Sequence, residues 1–93
     1  MTNNLITGVA VPTGGESLQR ELYAMLAYRL GRKESDIAGH LNLAAELYVD
    51  SLDLMEIEIG IAETFGVELT ETELLSIRTV DDLQRIVVAA LYA

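Results

Sequence analysis

The chain has 93 residues, no cysteine, one histidine and a formal net charge of -9 at pH 7, which sets it up as one small domain without disulfides, thiol chemistry or cysteine-based zinc sites. Apolar residues make up 51% of the sequence and aromatic ones only 5%, so the core must be built from Leu, Ile, Val, Ala and Met, a composition suited to packed helices. No apolar run approaches the roughly 20 residues of a membrane span, and the N-terminus lacks the basic start and apolar centre of a signal peptide, so a cytoplasmic protein is expected.

Residues 1–16 hold Thr, Asn, consecutive glycines and the sole proline without helical period, and are expected to form a flexible N-terminal arm ahead of a folded domain over 17–93. From a possible cap at Ser17, apolar residues recur at Leu18, Leu22, Met25, Leu26 and Leu30, the stripe of a first helix that Gly31 ends. Between Glu34 and Val49 the period breaks. Ile37, Leu41, Leu43 and Leu47 stand isolated, which predicts a long loop pinned by those side chains, with a short helical turn at Leu43 to Leu47. His40 lies in this loop with no second imidazole or thiol to share a metal, and is read as a solvated residue.

Asp50 is a good N-cap, because its carboxylate can accept from free backbone N–H groups of a first helical turn. A second helix is then expected from Ser51 to about Phe65, ended by Gly66. At about 100° per residue, Leu54, Ile57, Ile61 and Phe65 fall on one apolar face, which is the core side. Leu52, Met55, Ile59 and Ala62 form a second strip beside Glu56 and Glu63. Two readings of that strip stand: a docking surface with an acidic rim, or a face covered by the long loop. Glu58 falls at the boundary and reaches water. Thr70 with Glu73 reads as a capping box opening a short third helix, and Thr79 with Asp82 as a second box. The last helix then carries the stripe Leu83, Ile86, Val87, Ala90 and Leu91.

Charge is distributed unevenly. No Lys or Arg occurs from Glu34 to Ile77, while the acids Glu34, Asp36, Glu46, Asp50, Asp53, Glu56, Glu58, Glu63, Glu68, Glu71 and Glu73 all fall inside. A one-sign field of this kind repels nucleic acid and anionic lipid and steers basic protein partners. At its centre stands Ser51. It occupies the first helical position, where an anion on its hydroxyl would meet unsatisfied N–H donors and the positive end of the helix dipole. The serine is thus suited to carrying a phosphodiester.

The sequence offers no hydrolase. There is no Gly-x-Ser-x-Gly elbow, no glycine-rich oxyanion loop and only one histidine. Asp50 and Asp53 lack the alternate spacing and central glycine of a calcium loop, and no phosphate loop, dinucleotide fingerprint or metal cluster occurs. No catalytic residue, no metal and no enzymatic activity are expected.

Leu47-Tyr48-Val49-Asp50-Ser51-Leu52-Asp53 resembles the attachment motif of acyl carrier proteins, Leu-Gly-x-Asp-Ser-Leu followed by an acidic amphipathic helix. The first helix ending at Gly31, the long loop, Phe65-Gly66-Val67, the short third helix and Thr79-Val80 are similar to that family in order and spacing, so the likeness covers Ser17 to Ala93. It implies an all-α, four-helix bundle with a long loop between helices 1 and 2 and a short third helix. It further implies covalent 4′-phosphopantetheine on Ser51, with Asp50 orienting the serine for a phosphopantetheinyl transferase. Leu52, Met55, Glu56, Ile59 and Glu63 match the family's partner-recognition positions, and Leu54, Ile57, Ile61 and Phe65 those that shelter an acyl chain. Two positions depart from the pattern: Tyr48 stands where the family usually has glycine, and Glu58 where it usually has an apolar residue.

The expected function is therefore an acyl carrier protein that bears acyl intermediates as thioesters in fatty-acid, polyketide or related secondary-metabolite synthesis. Its expected partners are the transferase, acyl-processing enzymes with basic docking patches, and acyl chains, with no nucleic acid or membrane, and the chain is expected to be a monomer. A peptidyl or aryl carrier of a nonribosomal pathway, or an unmodified acidic scaffold, are the alternatives.

Overall fold

A computed structural model describes residues 15–92; most of the expected arm, and Ala93, lie outside them. The described residues form four α-helices and no strand: α1 Gly15–Leu30, α2 Ser51–Phe65, α3 Glu71–Ser76 and α4 Val80–Tyr92, with a 3₁₀ turn at Glu34–Asp36 between the first two. This is the all-α, carrier-like bundle with a long α1–α2 loop and a short α3. The first helix begins at Gly15, ahead of the expected cap at Ser17.

Each helix boundary follows from local chemistry. At the end of α1, Gly31 adopts a left-handed conformation (φ 68°), and the Arg32 N–H reaches back to the Ala27 carbonyl at 2.8 Å, which satisfies a carbonyl the helix itself cannot. Gly66 ends α2 in the same conformation (φ 70°), donating to the Ala62 carbonyl. Both expected capping boxes are present. Thr70 and Glu73 exchange hydrogen bonds of 2.9 and 3.1 Å, and Thr79 and Asp82 exchange two of 3.1 Å.

The core lies between α1, α2 and α4. Leu22, Leu26, Ile57, Ile61, Val80, Leu83 and Val87 are fully buried, each contributing on the order of 1.5–3 kcal/mol through its removal from water. Leu30 at the end of the α1 stripe is only partly buried. On α4 the expected stripe runs out early: Val80, Leu83 and Val87 are buried, but Ala90 and Leu91 are exposed. Beyond Val87 no residue of α4 is buried among the described residues.

The α1–α2 loop is held more tightly than its composition suggests. Ile37, Leu43 and Leu47 are buried and Leu41 is packed against them, as their isolated positions predict. The expected turn is built on Asn42, whose carbonyl accepts from Glu46 and Leu47 while its side chain accepts from the Ala45 N–H at 2.7 Å. Backbone bonds then lace the loop to the start of α4. Leu43 donates to the Arg78 carbonyl at 2.8 Å, Val80 to Leu41 at 3.1 Å and Asp81 to Gly39 at 2.9 Å, around an antiparallel bridge between Asn42 and Thr79. A Cβ at Gly39 would meet the exposed Asp81 carboxylate, which would have to turn aside. The loop thereby delivers Asp50 and Ser51 from a fixed base.

Candidate functional site

Asp50 caps α2 as its sequence position predicts, and Asp53 completes the cap. The Asp53 N–H donates to Asp50 Oδ1 at 2.9 Å, and the Asp50 N–H donates to Asp53 Oδ2 at 3.2 Å. The two carboxylates that flank the serine are therefore turned onto backbone N–H groups at the helix start. Ser51 is the first helical residue and is exposed. Its own N–H and that of Leu52 have no helical carbonyl to bond, so the hydroxyl sits at the positive end of the α2 dipole with free donors beside it.

The backbone just before the cap is strained. Tyr48 has φ 58°, the single non-glycine residue in the left-handed region among those described, a conformation costing an L-residue roughly 1–2 kcal/mol. Arg32 braces it: its guanidinium donates to the Leu47 carbonyl at 3.1 Å and lies 5.8 Å from the centroid of the Tyr48 ring, within range of a cation–π contact. A left-handed backbone here favours glycine, which has no Cβ to clash, and this accounts for the glycine usual at this position in the family that the motif resembles.

Ser51 and Asp50 stand at the edge of a cavity of about 370 Å³, whose walls include Leu43, Val49, Leu54, Leu74, Ile77 and Arg78. Arg78, exposed, is its one basic residue. Its apolar wall spans the loop, α2, α3 and the α3–α4 connection. Of the residues expected to shelter an acyl chain, Leu54 lines this cavity. Ile57 and Ile61 lie deeper, fully buried in the core, and Phe65 is packed half-buried against it.

Comparison with known proteins places this geometry. The family model described as "Phosphopantetheine attachment site" matches residues 20–87. The chain is 31% identical over 77 residues to the acyl carrier protein of Coprothermobacter proteolyticus, covering 83% of this chain and 94% of that protein. It is 33% identical over 67 residues to that of Rubrobacter xylanophilus, covering 72% and 83% respectively. This chain belongs to the acyl carrier protein family. Acyl carrier proteins are carriers and not enzymes; they bear a covalent 4′-phosphopantetheine and work with acyl-processing enzymes and acyl chains. The residues present fit that group: an exposed serine hydroxyl at a helix N-terminus, an arginine nearby for a phosphodiester, and an apolar cavity alongside.

The outer strip of α2 in this acyl carrier protein is open. Leu52 is 71% exposed, Met55 56% and Ile59 43%, with Ala62 half-buried, so the long loop does not cover it. Its acidic rim differs from the sequence picture. The run from Glu34 to Ile77 contains no base, yet Arg29 of α1 reaches into it, donating to Glu56 Oε1 at 2.9 Å and to Glu63 Oε1 at 2.6 Å. These pairs raise the Arg29 pKa further above its ordinary value, the Glu56 hydrogen bond contributing most. Glu58, half-buried, borders a shallow pocket with Ile59, Ala62, Glu68 and Leu69 on the opposite side of the strip. Sequence reasoning missed the Arg29 fork and its enabling residue, Gly60. A Cβ at Gly60 would lie 2.5 Å from Met25 Sδ and 3.3 Å from Arg29 Nε. A glycine inside an otherwise well-formed helix, on the same flank as Glu56 and Glu63, was the available signal.

Proposed function

We propose that Ser51 carries the phosphopantetheine and that this chain presents acyl intermediates, as thioesters on that arm, to the enzymes of fatty-acid, polyketide or related secondary-metabolite synthesis. The observation that carries the assignment is Ser51 itself: exposed, first in α2, following the Asp50–Asp53 cap within the family motif. The prosthetic group supplies a terminal thiol, which is why a chain without cysteine can hold thioesters. In its attachment the Ser51 oxygen bonds to the phosphorus that carries pantetheine, the bond from that phosphorus to the bridging oxygen of the coenzyme A pyrophosphate breaks, adenosine 3′,5′-bisphosphate leaves, and the hydroxyl proton passes to a base of the transferase. Asp50 and Asp53 fix the backbone that presents the hydroxyl, while the Ser51 and Leu52 N–H groups and Arg78 are suited to the phosphodiester's negative charge.

Acyl chains enter beside Leu54, Leu74 and Ile77, and deeper penetration requires Ile57 and Ile61 to separate. Partner enzymes dock with apolar groups on Leu52, Met55 and Ile59 and with basic groups toward the surrounding carboxylates. The protein acts as a cytoplasmic monomer; no helix among the described residues is long and apolar enough to cross a membrane. Intact mass after incubation with coenzyme A and a broad-specificity phosphopantetheinyl transferase tests the assignment. Wild type gains one phosphopantetheine, and Ser51→Ala gains none while keeping its helicity. Loading of the Ser51→Ala variant, or an unchanged mass for wild type, sinks the proposal, the second outcome pointing to an unmodified scaffold.

A further inference from the structure

The two carboxylates that border the open strip of α2, Glu56 and Glu63, are held from within the chain. Both accept from one guanidinium, that of Arg29, at 2.9 and 2.6 Å. The Arg29 side chain is only 19% exposed, whereas those of Glu56 and Glu63 are 51% and 67% exposed. The cation is thus nested between the helices while the acids remain at the surface. Its position is built in. α1 meets α2 at Gly60, where the missing side chain admits Met25 and the Nε edge of the Arg29 guanidinium, and the planar fork then spans one carboxylate on each side of that glycine in the sequence. A fork of fixed geometry can satisfy two acids at once, which a lysine cannot do as well.

We infer that Arg29 is a specificity-determining residue of the docking face: it occupies Glu56 and Glu63 as an internal surrogate for a partner's basic residue. A partner whose Lys or Arg needs those two carboxylates must share them with Arg29 or compete with it, because one oxygen of each is already taken. A partner that meets the flank through apolar contact with Leu52, Met55 and Ile59 need not. The face favours the second kind, an enzyme surface with an apolar centre whose basic groups meet carboxylates other than these two. This rests on the docking reading given above and deepens it.

The test is a mutant cycle on phosphopantetheine transfer from coenzyme A by a broad-specificity transferase with a basic carrier-binding patch. It is read as kcat/KM for the carrier at low ionic strength, where the Debye length exceeds about 10 Å. Replacing Glu56 and Glu63 together by Gln is expected to lower the wild-type rate constant, but by a clearly smaller factor than in the Arg29→Gln background. Arg29→Gln alone is expected to raise it about three- to tenfold, since freed rim charges act on association. In the Arg29→Gln background the same Glu pair is expected to lower it about tenfold. Arg20→Gln, an exposed α1 position without an ion pair among the described residues, supplies the same charge change and should move the rate less than about twofold. Arg29→Lys, which keeps the charge without the fork, should fall between wild type and Arg29→Gln and serves should the Gln variant lose helicity. Equal effects of the Glu pair in both backgrounds, or equal effects of Arg29→Gln and Arg20→Gln, overturn the inference while leaving the carrier function intact. A wild-type chain that accepts no phosphopantetheine overturns the carrier reading and this one with it.

Discussion

The inner and outer faces of α2 use the same residue types to opposite ends. Inside, Ile57 and Ile61 are fully buried against α1 and α4; outside, Leu52, Met55 and Ile59 keep about half or more of their surface in water. Hydrophobicity alone does not separate the two sets. What separates them is that α1 and α4 can cover only one side of a fifteen-residue helix, and the remaining apolar strip then has no structural task. An apolar strip left open beside Ser51 is where partner recognition has room to reside.

The largest expected effect tests that division directly. Ile61→Ala should cost roughly 2–5 kcal/mol in chemical denaturation by leaving a cavity in a site with no exposure. Ile59→Ala and Met55→Ala should each cost less than about 1 kcal/mol, yet slow transfer by partner enzymes. Equal losses at Ile59 and Ile61 would mean that the outer strip is covered in solution, and the contrast between the faces would collapse.

A somewhat smaller effect is expected where the two faces meet. Gly60→Val puts a branched side chain against Met25 and Arg29, and should cost about 1–3 kcal/mol through overpacking. It should also loosen the Arg29 fork, so its transfer kinetics should shift in the direction of Arg29→Gln. A Gly60→Val protein as stable as wild type would show that α1 can move off α2 freely.

The carboxylates divide as the apolar residues do, into those used by the fold and those left at the surface. Asp82 belongs to the fold. It pairs with Arg85 at 3.0 Å and accepts from the Thr79 and Arg78 N–H groups. Its carboxyl is held below the ordinary value of 3.8, by the Arg85 hydrogen bond first and then by the two backbone donors. A pKa lowered by folding adds stability above the unfolded value and loses it as pH falls through the folded one. Asp82→Asn should therefore melt below wild type near neutral pH, by less than about 1 kcal/mol, since the amide oxygen can still accept from the two N–H groups and only the charge and the largely exposed Arg85 pair are lost. The gap should close as the pH is taken below 3.8. A gap that persists at acid pH would assign the loss to packing.

The architecture was legible in the sequence wherever chemistry is local. Asp50 as a cap, the Thr70–Glu73 and Thr79–Asp82 boxes, and Gly31 and Gly66 as stops are all decided within a few residues, and each stands where the pattern puts it. The place of Ser51, first in α2 and exposed, was legible for the same reason, whereas the sequence left two readings of the outer strip and its exposure decided between them. The role of Arg29 was not legible, because its partners lie 27 and 34 residues away and only the meeting of α1 and α2 at Gly60 brings them together. The exposed end of α4 was misjudged for the converse reason: a helical period says which side chains share a face but not which of them a neighbour covers.

The smallest effect concerns the residue that leads into the site. The sequence shows that Tyr48 departs from the family's glycine; the structure adds that the backbone there is left-handed. Two terms compete. Glycine would relieve about 1–2 kcal/mol of conformational strain, but it forfeits the contact with Arg32, worth about 0.5–1 kcal/mol at an exposed position, and gives the unfolded chain more freedom to lose. Tyr48→Gly should consequently lie within about 1 kcal/mol of wild type. Tyr48→Ala isolates the strain, because alanine keeps the Cβ that the left-handed region penalises and loses the ring as well. Tyr48→Ala should therefore be less stable than Tyr48→Gly by about 0.5–1 kcal/mol, measured by urea denaturation under one set of conditions. If the alanine variant is instead the more stable, this backbone is not left-handed in solution, and the brace between Arg32 and the loop has no strain to offset.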